Sequence, residues 1–94
     1  MSDQPQPGQI AISRSGRDRG RAYLILKIAS PTRVFVADGQ IRTVEKPKQK
    51  NIRHLVLHQA VVAEIARKLS EGQMVTNQEL ALSLSHWQQS QETE

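Results

Sequence analysis

Residues 15–21 read SGRDRGR, and they carry the densest group of side chains that could do chemistry in this chain. Three guanidinium groups, on Arg17, Arg19 and Arg21, surround one carboxylate. A guanidinium group can donate two parallel hydrogen bonds to the oxygens of one phosphate, and it can stack on an unpaired base. Gly16 and Gly20 can adopt the positive φ of a tight turn, or let the loop backbone come close to a ligand. The pattern predicts a cationic loop that contacts a phosphate-bearing partner.

The charge of the chain is concentrated around this loop. Residues 14–53 hold eleven basic and three acidic residues, an excess of eight, whereas the other 54 residues sum to −4. This separation favours a polyanion as partner. The alternative is a solvated surface that keeps the protein soluble.

A second basic element follows at Lys46, Lys48 and Lys50, where Pro47 and alternating lysines predict an extended, water-exposed connection. It would serve as a mobile arm along a phosphate track or as a solvated linker. Arg42 and Arg53 flank it and would extend one basic surface, unless they pair with Glu45 or another acid.

Short strands must position these loops. Residues 9–14 alternate, with Ile10 and Ile12 on one face, and residues 22–29 place Leu24, Leu26 and Ile28 inward. Tyr23 then falls on the opposite face, as partial core or as a stacking platform. Residues 30–32 form a turn, residues 33–37 a third strand, Asp38-Gly39 a type I′ hairpin into residues 40–44, and residues 52–57 a last strand. These strands predict a mostly β fold, a small antiparallel barrel or sandwich.

Helical periodicity replaces the alternation from His58 or Gln59 onward. Apolar residues recur at helical spacing up to Leu69, and Gly72 is a plausible stop. The sequence Thr76-Asn77-Gln78-Glu79 then matches a capping box before a second short helix that contains Trp87, expected to be a packing residue. The domain prediction is a flexible head (1–7), a barrel (8–57), a helical extension packed on it (58–88) and a frayed tail (89–94).

The sequence around Gly20 resembles the KOW motif of ribosomal and transcription-elongation proteins. The resemblance extends through Ala37-Asp38-Gly39, Arg42, residues 44–48 and residues 52–55 to short stand-alone bacterial KOW proteins, which are similar to large-subunit ribosomal KOW proteins of archaea and eukaryotes. It implies an SH3-like barrel followed by one or two α-helices. Gly20 matches the signature glycine and Arg19 and Arg21 the adjoining basic positions, although Ala22-Tyr23 stands where many members have another glycine.

The function expected from these observations is non-catalytic RNA binding. The resemblance implies ribosomal RNA or the ribosome as partner, and the alternatives are an SH3-like protein-interaction module of the transcription or translation machinery and, more weakly, DNA binding. The candidate RNA-binding residues are Arg14, Gly16, Arg17, Arg19, Gly20, Arg21, Arg42, Lys46, Lys48, Lys50 and Arg53.

Other classes of function find little support. The chain has no cysteine, Gly16 to Gly20 lacks the spacing of a P-loop, and no catalytic constellation stands out, so we expect no catalytic site, small-molecule substrate or cofactor. His54 and His58 are four apart, but they straddle a predicted strand end without a third ligand, so we expect no metal. The absence of a signal-peptide pattern and of a long apolar run predicts a cytoplasmic protein without membrane contact.

Overall fold

The computed structural model describes residues 4–92, which form five strands and two helices. A 3₁₀ turn, Ile52–His54, separates the fourth strand from the fifth. The mostly β architecture with C-terminal helices predicted from the sequence is confirmed. The elements are β1 (Gln9–Ser13), β2 (Ala22–Ser30), β3 (Arg33–Ala37), β4 (Lys48–Asn51), β5 (Leu55–Val61), α1 (Ala63–Ser70) and α2 (Asn77–Glu92).

The strands form one antiparallel sheet in the order β4-β3-β2-β1-β5. In a flat sheet β4 and β1 would lie about 14 Å apart, three times the ordinary strand spacing. Lys50 Nζ on β4 is nevertheless 2.7 Å from Ser13 Oγ at the end of β1. The sheet must therefore be strongly curled, which brings its β4 edge back toward the first strand.

Both faces of the curled sheet are covered. One face packs Ile10, Leu24 and residues of both helices into a first apolar cluster. The other face holds a second cluster, whose buried members are Ala11, Tyr23, Ile25, Val34, Val36 and Leu55. The inward assignment is correct for Leu24 and Leu26, which belong to the first cluster, but Ile28 is 39% exposed.

The hairpin predicted at Asp38-Gly39 is wrong, because no strand forms over residues 40–44. The Asp38 carboxylate instead accepts hydrogen bonds from the backbone of Gln40 and Arg42 (3.0 and 2.9 Å) and closes a local turn. Gly39 has a φ of +81° and packs so closely on α2 that a Cβ there would lie 2.2 Å from the carbonyl oxygen of Asn77. Packing on a helix has replaced strand pairing in this β3–β4 loop (residues 38–47).

Three further boundaries differ from the sequence prediction. Residues 48–51, expected in an exposed connection, form the edge strand β4, with Pro47 just outside it as the missing amide donor requires. Residues 52–54 form the 3₁₀ turn rather than the start of a strand. The segment from His58 to Val61 continues β5, and α1 begins only at Ala63, because pairing with β1 through Gln9 and Val61 outweighs the helical pattern.

The capping box of α2 is confirmed. The amide of Glu79 donates to Thr76 Oγ1 (3.1 Å), and the Glu79 carboxylate accepts from the amide of Thr76 (2.8 Å). The helix is longer than expected, since it continues to Glu92 through residues predicted to fray, and residues 93–94, like residues 1–3 of the head, lie outside the described part. Among residues 4–92, no helix is both long and apolar enough to cross a membrane.

Candidate nucleic-acid interface

The loop that joins β1 to β2, residues 14–21, is the basic loop. Its base is closed by two backbone hydrogen bonds, from Gly20 to the Ser13 carbonyl (2.8 Å) and from Ser13 to the Arg21 carbonyl (3.0 Å). Gly16 and Gly20 have φ values of +84° and +90°, so both make the turn that the sequence allowed. A Cβ on Gly20 would have no atom within 4 Å, which leaves the backbone open to a ligand at this point.

Asp18 fixes the basic loop to the sheet through four partners. Oδ1 accepts from Ser13 Oγ (2.8 Å) and Lys50 Nζ (3.1 Å). Oδ2 accepts from the Tyr23 hydroxyl (2.6 Å) and, more weakly, from Lys48 Nζ (3.5 Å). These five residues, Ser13, Asp18, Tyr23, Lys48 and Lys50, form the Asp18 cluster, and they connect the loop to β1, β2 and β4.

The contacts within the Asp18 cluster shift the pKa values of two of its members, Asp18 and Tyr23. Burial alone would raise the pKa of Asp18, but the hydrogen bonds from Tyr23, Ser13 and Lys50 outweigh burial and hold that pKa well below its usual range. Burial, together with the hydrogen bond to the Asp18 carboxylate, raises the pKa of Tyr23 far above its ordinary value. Asp18 is therefore a carboxylate and Tyr23 a neutral donor at physiological pH.

Two side chains considered for RNA contact, Lys50 as a predicted site residue and Tyr23 as one of two alternatives, lie in this cluster instead of in solvent. Lys50 is 8% exposed and its ammonium group contacts Ser13 and Asp18, so it is not part of a mobile lysine arm. The alternation of β4 turns this residue inward, which the composition of the segment does not reveal. Tyr23 is 1% exposed and offers no stacking surface, in agreement with the partial-core alternative.

At the C-terminal end of the basic loop, Asp38 contacts both Arg21 and Arg42. Arg21 Nη1 lies 3.5 Å from Asp38 Oδ2, and the backbone amide of Arg42 donates to the other oxygen of that carboxylate. Arg42 contacts Asp38 through its backbone amide only. Its exposed side chain forms no ion pair with Glu45 among the described residues, so the alternative pairing with Glu45 is not found. The Glu45 carboxylate accepts instead from the side-chain amide, Nδ2, of Asn77 (2.9 Å).

The 3₁₀ turn adjoins the first residues of the basic loop. The amide of Arg14 donates to the His54 carbonyl (2.9 Å), and the Ser15 hydroxyl shares a hydrogen bond of 2.9 Å with His54 Nδ1. Arg53, in the same turn, is thereby brought near Arg14. Lys46 lies in the β3–β4 loop, where its amide donates to Thr43, and no contact joins it to the basic loop among the described residues.

Six of the cationic residues that were predicted to bind RNA have exposed side chains. Among the side chains that the structure describes, at residues 4–91, these six form no ion pair with a carboxylate, in contrast to Arg21, Lys48 and Lys50. They can therefore bind an external anion without first breaking an internal contact. These exposed cations are Arg14, Arg17, Arg19, Arg42, Lys46 and Arg53.

The two neighbouring histidines have separate structural roles. His54 contacts Ser15, and His58, on β5, packs edge to face on Trp87 with ring centroids 4.9 Å apart. Trp87 also packs against the first apolar cluster, as expected for a packing residue. Among the described residues, no group of three or more histidine, aspartate or glutamate side chains is arranged to hold a metal ion.

The sequence interpretation missed Asp18 as the residue that shapes the site. It counted this aspartate only as a reduction of the loop's charge. The signal in the sequence was the position of Asp18 between two arginines, because a carboxylate there lowers the positive charge of the loop unless it has a structural role. Ser13 was missed as well, because one polar residue at the end of a strand is a common pattern.

The fold and the site define a small, mostly β protein that presents a fixed cationic loop. No protein-family model matches the chain. The protein named "Putative ribosome-binding protein YbzG" from Bacillus subtilis (strain 168) is 37% identical to it over 70 residues, which cover 74% of this chain and 95% of that protein. The chain belongs to the family of this relative.

Proposed function

We propose that this protein is a non-catalytic RNA-binding protein of the cytoplasm that associates with the ribosome, with ribosomal RNA as its partner. The observation that carries the proposal is the basic loop, in which Arg17 and Arg19 are exposed and free of carboxylates while Asp18 fixes the backbone beneath them. The name of the Bacillus subtilis relative, a ribosome-binding protein, supports the same partner.

The proposed architecture is an SH3-like barrel of the KOW type. The strand order β4-β3-β2-β1-β5, the 3₁₀ turn between β4 and β5 and the curl of the sheet support it. The match of Gly20, Arg19 and Arg21 to the KOW motif supports it independently.

The predicted site residues take different roles in this proposal. The six exposed cations contact phosphates, Gly16 and Gly20 give the basic loop its shape, and Arg21, the last residue of the loop, is paired with Asp38. Lys48 is half-buried and is shared between Asp18 and solvent. Lys50 becomes a positioning residue, since its ammonium group is used inside the protein.

The physical basis is the release of counterions. Each RNA phosphate that a cation neutralises releases bound counterions, so affinity falls as salt rises. A loop that is already ordered avoids part of the entropy cost of ordering on binding. The exposed arginines therefore contribute to affinity without requiring a particular base sequence.

The test compares the double variant Arg17→Ala/Arg19→Ala with the wild type, using ribosomal RNA fragments and a series of salt concentrations. The plot of log affinity against log salt should become flatter by about 0.7 to 0.9 per lost contact. The matched control is Lys27→Ala/Arg33→Ala, which removes the same charge from two exposed residues outside the basic loop that form no ion pair among the described side chains. This control should retain the wild-type slope within error.

An unchanged slope in the loop variant would refute the role of the loop. A slope that decreased equally in both variants would mean that net charge, and not this loop, determines binding. Sedimentation with purified ribosomes, before and after nuclease treatment, separates RNA contact from the protein-interaction alternative. Binding that survives complete digestion of the RNA would favour that alternative.

A further inference from the structure

A groove of about 480 Å³ lies between the basic loop and α2. Arg17, Arg19 and Arg21 line one wall, and the exposed Ser85 and the amide side chain of Gln88 line the other. The volume is within the range of about 300 to 1,000 Å³ that is typical of small-ligand sites. No pattern in the sequence associates α2 with the loop, because Ser85 and Gln88 are polar residues of the kind that ordinarily face solvent.

The groove retains a positive character although two carboxylates line it. Asp18 is already bonded to Lys50 and Tyr23, and Asp38 is bonded to Arg21 and to two backbone amides. Arg17 and Arg19 have no such partner among the described residues. An anion that enters the groove therefore meets two cations whose charge is not used elsewhere.

The groove also has chemistry that a phosphate alone would not use. Most of the lining is polar, but Ala22 and Leu84, each 5% exposed, contribute a small apolar floor, and Gln40 and Gln88 supply amide donors and acceptors. A flat heterocycle with hydrogen-bonding edges matches this combination. Arg21 is held in place by Asp38, 3.5 Å away, and guanidinium planes stack on unpaired bases.

We propose that this groove binds one unpaired nucleotide of RNA, an inference that rests on the proposed function. Its phosphate contacts Arg17 and Arg19, its base stacks on the Arg21 guanidinium above the apolar floor, and Ser85 and Gln88 bind the base edge. A base-paired nucleotide cannot enter, because its edge is occupied and its faces are stacked in the helix. The protein therefore prefers RNA with a bulge or loop over a continuous duplex.

The test measures fluorescence anisotropy of two labelled RNA hairpins with the same stem, one of them carrying a single bulged nucleotide. The wild type should bind the bulged hairpin about tenfold more tightly, which is within the range that one stacked base contributes. The variant Ser85→Leu fills the groove without changing charge, and it should bind both hairpins equally, with the affinity for the duplex within about twofold of wild type. Ser90→Leu, the same change at an exposed position of α2 outside the groove, should retain the preference.

Circular dichroism establishes that each variant is folded, and Gln88→Ala provides a smaller change with the same expected loss of preference. Equal affinity of the wild type for the two hairpins, or a preference that survives in Ser85→Leu, would overturn the groove while leaving the phosphate-binding loop intact. A parallel loss of affinity for both hairpins in Ser85→Leu would overturn it too. Absence of salt-sensitive binding to either hairpin would overturn both this inference and the proposed function.

Discussion

Replacing Asp18 with asparagine tests whether the Asp18 cluster stabilises the fold. The substitution keeps the shape of the side chain but removes the negative charge that faces Lys50 Nζ at 3.1 and 3.2 Å. Because Lys50 is only 8% exposed, its ammonium group would be left inside the protein without a counter-ion. The asparagine oxygen can still accept a hydrogen bond from Tyr23, but its NH2 group would then face the Lys50 ammonium group, which can only donate. The expected loss therefore includes the charge and the hydrogen bond to Lys50.

The magnitude follows from the burial of both partners. Breaking a buried ion pair from one side costs about 3 to 5 kcal/mol. Asp18 retains 12% exposure, so water partly replaces it and the lower end of that range applies. We expect a loss of about 3 kcal/mol, a large part of the 5 to 15 kcal/mol that is typical of a small domain.

The assay is urea unfolding followed by circular dichroism. Lys50→Met removes the other half of the pair while keeping the length of the aliphatic stem, and a double-mutant cycle with Asp18→Asn gives the coupling energy. We expect about 1 to 3 kcal/mol of coupling, as for contacting residues in one network. Lys48→Met is the matched control, because this lysine is on the same strand and 3.5 Å from the same carboxylate but 33% exposed. It should cost less than about 1 kcal/mol.

A loss below about 0.5 kcal/mol in Asp18→Asn would refute the reasoning, since it would place the variant within the range of ordinary surface substitutions. Equal effects of Lys48→Met and Lys50→Met would also contradict it. That result would show that burial does not distinguish the two lysines.

Three further outcomes are expected. The pKa of Asp18 in the folded protein lies below its unfolded value of about 3.9, so the stability that Asp18 contributes is complete above that pH and is lost as the pH falls. The free energy of unfolding of the wild type should therefore fall more steeply below about pH 4 than that of Asp18→Asn. Urea unfolding at several pH values measures this difference. Tyr23, the only tyrosine of the chain, should form phenolate well above its unfolded pKa of about 10 in an ultraviolet absorbance titration, and Asp18→Asn should lower that midpoint. Since its pKa is raised, the stability that Tyr23 contributes is complete below about pH 10 and is lost as the pH rises further. Gly39→Ala should destabilise by about 2 kcal/mol more than Gly72→Ala, because both have positive φ but only Gly39 contacts Asn77, and equal unfolding midpoints would contradict this packing.

The Asp18 cluster also explains why an acidic residue lies in a loop that we propose to bind RNA. Asp18 reduces the charge of the loop, but it receives hydrogen bonds from three strands and fixes the backbone between Gly16 and Gly20. The neighbouring arginines then project from an ordered base.

Local signals in the sequence identified the elements that depend on local interactions. The alternation in β1 and β2, the bounds of β3 and the capping box of α2 follow from residues within a few positions of one another. The mostly β class, the position of the basic loop and the concentration of positive charge needed no knowledge of distant contacts.

Tertiary contacts decided the features that the sequence interpretation missed or misassigned. Residues 40–44 form no strand because Asp38 turns the chain and Gly39 packs on α2. Lys50 is buried because the curl of the sheet carries β4 to Asp18, 32 positions away in the chain.

The sequence by itself therefore determined which residues are cationic, where the chain turns and where α2 begins. Only the tertiary structure decided which cations remain exposed, and that α2 forms the second wall of the groove beside the basic loop. The physical reason is that charge and local propensity are properties of neighbouring residues, whereas burial and pairing depend on the curled sheet as a whole.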